Sequence, residues 1–297
     1  MRQTRDRAMV GALIGVLLLA ACGGTDTAAP AAAPAPSSGG SQLQALMVAS
    51  QLLVGTQRFP IGVLSNNTPV NDAHVHVRTF FVTGSSAQAR GEADAPFKGD
   101  GLEGKGLYIA HLTFDTPGQW LAVIAASRPD GSSTSATVPF NVTVRGAVPG
   151  VGEPAPRSHN QTLKDVPDAG YIDSGVPPDD MHQLSIADAI DQHRPSLVVF
   201  ATPAFCTSET CGPQVKAVEA LEPAYRDRLV FIHVEIYRDF KPDPSKRQVT
   251  PTVLEWHLQT EPWVFLIDRS GVIRAAYEGA TSTDDIKAGI DQMLGAG

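Results

Sequence analysis

Cysteine is scarce in this chain of 297 residues, which has three, at positions 22, 206 and 211. That excludes a disulfide-dense scaffold and a Cys-rich zinc site. Charge is also sparse, at 18% of residues, and its excess is acidic, with 31 Asp and Glu against 23 Lys and Arg. A net charge of −8 argues against nucleic acid or an anionic membrane surface as the main partner. Long hydrophobic runs are missing as well: Ala8 to Ala21 is uncharged and apolar over about 14 residues, short of the roughly 20 that a spanning helix needs. What is present, 42% hydrophobic residues, is an ordinary globular balance, and the length suggests about two domains.

Arg2, Arg5 and Arg7 precede the apolar run, which ends in Leu19-Ala20-Ala21-Cys22. Positive charge, a short apolar stretch and small residues in that order make an export signal. The segment resembles the lipobox of bacterial lipoproteins. The resemblance implies that 1–21 is a signal peptide and that Cys22 is lipid-modified as the first mature residue. The mature chain would then be lipid-anchored to the cell membrane on its extracytoplasmic side, where thiol pairs can oxidise. Residues 22–42 are mainly Ala, Pro, Gly, Ser and Thr and read as a flexible spacer.

Residues 43–145 read as all-β. Short apolar runs at Arg58–Leu64, His74–Val82, Leu107–Phe114, Gln119–Ser127 and Ser135–Val144 are separated by turn signals such as Asn66-Asn67 and Pro129-Asp130-Gly131. That spacing predicts a small sandwich of immunoglobulin-like type. Gly106 to Phe114, followed by Pro117-Gly118-Gln119-Trp120, resembles the paired strands of small envelope domains of the YtkA or FixH kind. His74 and His76, two apart on a strand, share a face and form a metal site only if a third ligand such as His111 joins them. Met47 is the one methionine near this part, which weakens a case for cuprous copper.

Residues 146–156, rich in Gly and Pro, read as a linker. The pattern then changes. Helical spacing covers Ser185–His193, Val215–Tyr225 and Thr283–Leu294. Continuous apolar runs at Ser196–Thr202 and Leu229–Ile236 suit strands buried on both faces, and Trp263–Asp268 with Gly271–Tyr277 suits a hairpin. Trp256 to Ile267 resembles the thioredoxin segment in which a short helix leads into a cis-proline and a core strand. Asp268-Arg269-Ser270-Gly271-Val272-Ile273 is similar to the hairpin of membrane-anchored thioredoxin-like reductases. The resemblance implies a thioredoxin-like fold over 157–297, with Pro262 as the cis-proline and the redox motif at Cys206.

That motif departs from the C-x-x-C of the family: four residues, Thr207 to Thr210, separate Cys206 from Cys211. In one regular helix, Cα atoms five residues apart lie roughly 8–9 Å from each other, whereas a disulfide needs about 7 Å or less. Gly212-Pro213 points to a helix starting near Gly212, because proline belongs in the first turn. Both cysteines then sit in the lead-in, and pairing is feasible. Cys206, first after the strand and near a helix N-terminus, is the expected nucleophile, with Cys211 resolving. Glu261, before Pro262, would tune the thiols through its charge or serve as a local acid or base. The same spacing occurs in some peroxiredoxins, but their Thr and Pro positions are Pro203 and Val199 here.

The expected fold class is therefore an α/β thioredoxin-like domain preceded by a small all-β, Ig-like sandwich. The expected function is envelope-anchored thiol–disulfide exchange with a protein thiol or disulfide partner. Catalytic candidates are Cys206, Cys211, Pro262 and Glu261. Two alternatives stay open: a copper-binding assembly factor using the two cysteines with His233 or His257, and a binding module whose disulfide is structural.

Overall fold

A computed structural model of the chain describes residues 43–295. The export signal, Cys22 and the spacer lie outside the described residues. Those described belong to one compact unit, and none of its helices is long and apolar enough to cross a membrane.

Ten strands come first: β1 (Leu43–Met47), β2 (Leu52–Leu53), β3 (Gly55–Ser65), β4 (Thr68–Pro69), β5 (His74–Thr83), β6 (Ser86–Asp94), β7 (Phe97–Lys98), β8 (Leu107–Phe114), β9 (Gly118–Ser127) and β10 (Ser133–Thr143). One sheet has the order β1-β3-β8-β7 with β4 also on β3, and the other has the order β2-β10-β9-β5-β6. Alternate residues supply their shared core. Phe59 and Ile61, Val75 and Val77, Leu112 and Phe114, and Trp120, Ala122 and Ile124 are all buried in it. The Phe114 and Trp120 rings meet edge-on at 5.1 Å, the geometry their charge distributions favour. The Trp120 indole N–H donates to the Thr116 carbonyl at 3.0 Å, so a buried donor is satisfied.

The rest of the chain builds α1 (Ile186–Asp191), β11 (Ser196–Ala201), α2 (Cys211–Glu219), α3 (Glu222–Tyr225), β12 (Val230–Glu235), β13 (Tyr237–Arg238), β14 (Gln248–Val249), α4 (Pro251–Glu255), β15 (Trp263–Ile267), β16 (Ile273–Glu278) and α5 (Thr283–Gly295). Its main sheet has the order β12-β11-β15-β16. β11 lies parallel to β12 and antiparallel to β15. Both faces are covered. Val198, Phe200, Ile232 and Phe265 enter one core with Trp256, whereas Leu197, Val199, Phe231 and Leu266 enter the other with Val218 and Ile290. This two-sided burial is why β11 and β12 read as unbroken apolar runs.

The expected α/β class is not met. Strands take 39% of the described residues and helices 17%. The helices stay short for local reasons. His193 at φ 52° and His257 at φ 54° adopt left-handed backbone just past α1 and α4, which a helix cannot continue through. Pro at the start of α3 and α4 separates each from what precedes it. Residues 157–183 carry no helix or strand beyond the turn Ala169–Tyr171. The chain is a β-rich protein of several sheets, and a thioredoxin-like α/β class does not describe it.

β8 joins the two parts. Tyr108, Ala110 and Leu112 face the sandwich core, while Leu107 and Ile109 pack with Leu102, Ala217 of α2 and Ala280. Polar contacts fix the seam. Arg58 of β3 donates to the carbonyls of Glu278 (2.8 Å) and Ala280 (3.1 Å). The Glu278 carboxylate accepts from the Ser50 N–H at 2.8 Å and the Thr260 hydroxyl at 2.6 Å. Gly279 has φ +75°, and a Cβ there would lie 3.0 Å from Leu107, so glycine permits this close approach. The Pro/Gly-rich 146–156 segment is packed too: Gly152 and Ala155 donate to the Ile273 and Gly271 carbonyls, and Val148 and Ala155 are buried.

Candidate functional site

β11 ends at Ala201, and the chain runs through an exposed loop into α2. The helix begins at Cys211, with Thr210 as its cap residue, and Pro213 sits in the first turn. Cys206 is thus outside the helix, and its sulfur is bonded to that of Cys211 across a Cα–Cα distance of 6.0 Å. The two sulfurs differ. Cys211 is 0% exposed within the core that holds Val215 and Val218, whereas Cys206 is only half-buried. Two donors converge on the Cys206 sulfur: the Cys211 N–H at 3.3 Å and the Ser208 hydroxyl at 3.2 Å. A bonded sulfur carries no hydrogen, so Ser208 donates. The crest of the loop is held from the sandwich, where Lys105 Nζ donates to the Glu209 carbonyl (3.3 Å) and carboxylate (3.1 Å).

Pro262 lies just before β15, whose first residue, Trp263, pairs with Phe200 near the end of β11. The Glu261–Pro262 peptide is cis. Burial first, and then the nearby Glu235 carboxylate, raise the Glu261 pKa above its ordinary value. No hydrogen bond among the described residues joins Glu261 to either cysteine.

A second cluster lies on the same face of the main sheet. The spacing of residues 173–183 gives no helical or strand signal, yet this segment runs along β12, with the His233 N–H donating to the Met181 carbonyl at 2.8 Å. It brings Asp173, Asp179 and His182 onto His233, and their ligand atoms all lie within 4.8 Å of one another. His233 Nδ1 is 2.7 Å from Asp179 Oδ2, and His182 Nε2 is 3.1 Å from Asp179 Oδ1 and 3.5 Å from Asp173 Oδ2. Backbone amides aim the carboxylates. Asp173 accepts from Gly175 and Asp179, each at 2.7 Å, and Asp179 accepts from Met181 at 2.8 Å.

Charge in this cluster is balanced against burial. At His233 burial disfavours the charged ring, but the Asp179 carboxylate overrides it and lifts the pKa to about 9. His182 is raised in the same way: burial opposes the charge, and Asp173 and Asp179 outweigh it. Burial pushes the Asp179 carboxyl up, and the adjoining imidazoles hold it well below the usual carboxylate range instead. This buried Asp/His group could hold a metal ion.

Among the described residues it is also the one group of three or more such ligands, and neither cysteine belongs to it. Copper held by the cysteine pair with His233 or His257 is therefore not assembled; His257 is exposed just past α4. The strand histidines do not converge either, since His74 and His76 lie on β5 and His111 on β8 of the opposite sheet. The sequence offers His233 as a candidate copper ligand beside the two cysteines, whereas its partners are Asp173, Asp179 and His182. The available signal was Asp179 three residues before His182 in a stretch otherwise rich in proline.

No protein-family model matches the chain, and no curated protein matches it. Ten chains of solved structures match, and three of them show how limited the likeness is. The soluble domain of PmoD from Methylocystis sp. ATCC 49242 (Rockwell) is 11% identical, covering 35% of this chain and 93% of that one at a TM-score of 0.23. Murine CRIg is 13% identical over 36% of this chain and 100% of its own, with a TM-score of 0.22. Spo0M, a sporulation control protein of Bacillus subtilis, is 11% identical over 36% of this chain and 51% of its own, with a TM-score of 0.21.

Proposed function

We propose that the chain carries out thiol–disulfide exchange with a protein partner in the cell envelope, held there by a lipid on Cys22. The observation that supports this is the asymmetry of the pair: one half-buried sulfur served by two donors, bonded to one wholly enclosed sulfur. In the reduced protein the Cys206 thiolate attacks a partner disulfide, forming a mixed disulfide and releasing one partner thiolate. Cys211 then gives up its proton and attacks the Cys206 sulfur, releasing the second partner thiol. Two electrons pass to the partner, and Cys206–Cys211 ends oxidised. The amide of Cys211 and the Ser208 hydroxyl stabilise negative charge on Cys206, both as attacking and as leaving group.

The test uses glutathione disulfide as the probe. Reduced Cys211→Ser protein should retain a glutathione adduct on Cys206 in its intact mass spectrum. Cys206→Ser should retain none, because its remaining thiol is enclosed. Adducts in the reverse pattern, or none in either variant, would defeat the assignment.

A further inference from the structure

We infer that Asp173, Asp179, His182 and His233 form a closed binding site for one divalent cation of the zinc class. Four features of the cluster carry this. First, the donors are spaced for a small ion. Bonds of about 2.0–2.1 Å in a tetrahedron put ligand atoms about 3.3 Å apart. The four imidazole–carboxylate separations, 2.7 and 3.1 Å to the two oxygens of Asp179 and 3.5 and 4.0 Å to Asp173 Oδ2, bracket that value, and one ligand atom from each residue lies within 4.8 Å of the others.

Second, His182 faces two acids at ion-pair distance without a hydrogen bond to either. Its side chain is 1% exposed, and neither ring nitrogen makes a hydrogen bond. Nε2 nevertheless points between the two carboxylates, at a spot where a cation would meet it. Buried ring nitrogens almost always make hydrogen bonds, so one that faces two acids and bonds neither marks a place for a ligand.

Third, the supporting contacts are those of metal ligands. His233 Nε2 lies 3.3 Å from the Ala201 carbonyl; donation there puts the lone pair on Nδ1, which faces Asp179 at 2.7 Å and the ion's place beside it. The carboxylates are fixed by the backbone amides of Gly175, Asp179 and Met181. Fourth, the donor set is two imidazoles and two carboxylates. It has no thiolate, so it suits a borderline divalent ion and not a cuprous one. With all four side chains at 0–3% exposure, no open coordination position reaches solvent. The role is structural: it clips residues 173–182 to β12.

The experiment uses the full-length chain in detergent, stripped with a chelator and then titrated with Zn²⁺ and with Co²⁺. Expected are one ion per chain and the visible absorption of four-coordinate cobalt. X-ray absorption of the zinc form should show only nitrogen and oxygen neighbours, including imidazole. A Cys206→Ser/Cys211→Ser variant should bind equally well. His182→Gln should weaken binding on the order of 100-fold or more, since losing even an outer-shell partner costs 10–100-fold. Absence of uptake, a sulfur neighbour, loss of binding in the cysteine variant or unchanged binding in His182→Gln would each overturn the site. The absorption measurement on the unmutated chain decides even if His182→Gln does not fold.

Discussion

At the scale of single residues, Ser208 is the most telling side chain in the loop that carries Cys206. Its hydroxyl lies 3.2 Å from the Cys206 sulfur and is braced by Thr210 at 2.8 Å. A hydrogen bond to a charged atom is worth about 1.5 kcal/mol or more, which is about tenfold in rate. Ser208→Ala should therefore slow alkylation of reduced Cys206 by iodoacetamide about tenfold at neutral pH. An unchanged rate would mean that the hydroxyl does not serve the thiolate. Asp268 is the matching case for stability. Its carboxylate accepts from Ser270 (2.8 Å) and Val272 (3.0 Å) and pairs with Arg274 at 2.6 Å, with 14% of the side chain exposed. Burial pushes its pKa up, but the Val272 amide and the other partners outweigh this and depress it. A depressed carboxylate stabilises the fold above its unfolded pKa of about 3.9 and loses that contribution as pH falls through the folded value. Asp268→Asn should cost about 2 kcal/mol at pH 7 by urea unfolding. That gap should narrow in acid; a constant gap would contradict the linkage.

At the scale of elements, the disulfide closes a short ring, with its cysteines five apart in sequence. Chain entropy assigns so small a ring about 2 kcal/mol of stability. For a chain of this size that corresponds to a fall of about 4–8 °C in the unfolding midpoint on reduction. The sheets should survive, as far-ultraviolet circular dichroism on the reduced protein can check. Collapse of the fold on reduction would make the bridge a structural clamp and count against exchange. The element-level reading of the sequence has an equally physical limit. Leu107–Phe114 lies where its apolar run between turn signals placed it, because the buried side chains of β8 leave a signal. β6 was invisible: Ser86 to Asp94 is almost wholly exposed, so no apolar period marks it.

At the scale of the whole molecule, the seam on β8 decides how the chain unfolds. Leu102 is 0% exposed and packs with Leu107, Ile109, Ala217 and Ala280. Leu102→Ala should cost about 3 kcal/mol and leave one transition. Trp120 reports on the sandwich, and Trp256 and Trp263 report on the other part. Single-tryptophan variants should give coincident unfolding curves with and without the substitution, whereas separate curves would show two independent units. The possibility of pairing Cys206 with Cys211 was legible from helix geometry and the position of Pro213. The Asp/His cluster was not. Its members are spread from 173 to 233, and the segment carrying three of them has no periodic pattern that fixes where it lies. The fold class was misjudged for a different reason. The helices came where their spacing put them, but the strands of several sheets outweigh them, at 39% against 17%.

The two-sided burial of β8 also has a meaning in time. A chain is made from its N-terminus, so the sandwich exists before its neighbour does. Until residues 211–280 arrive, Leu102, Leu107 and Ile109 are an uncovered greasy strip beside an edge of the sheet. Such a strip invites association with other nascent chains. The early half is thus a product that needs its later half as a cover, and the interval between the two is when the protein is most exposed to aggregation.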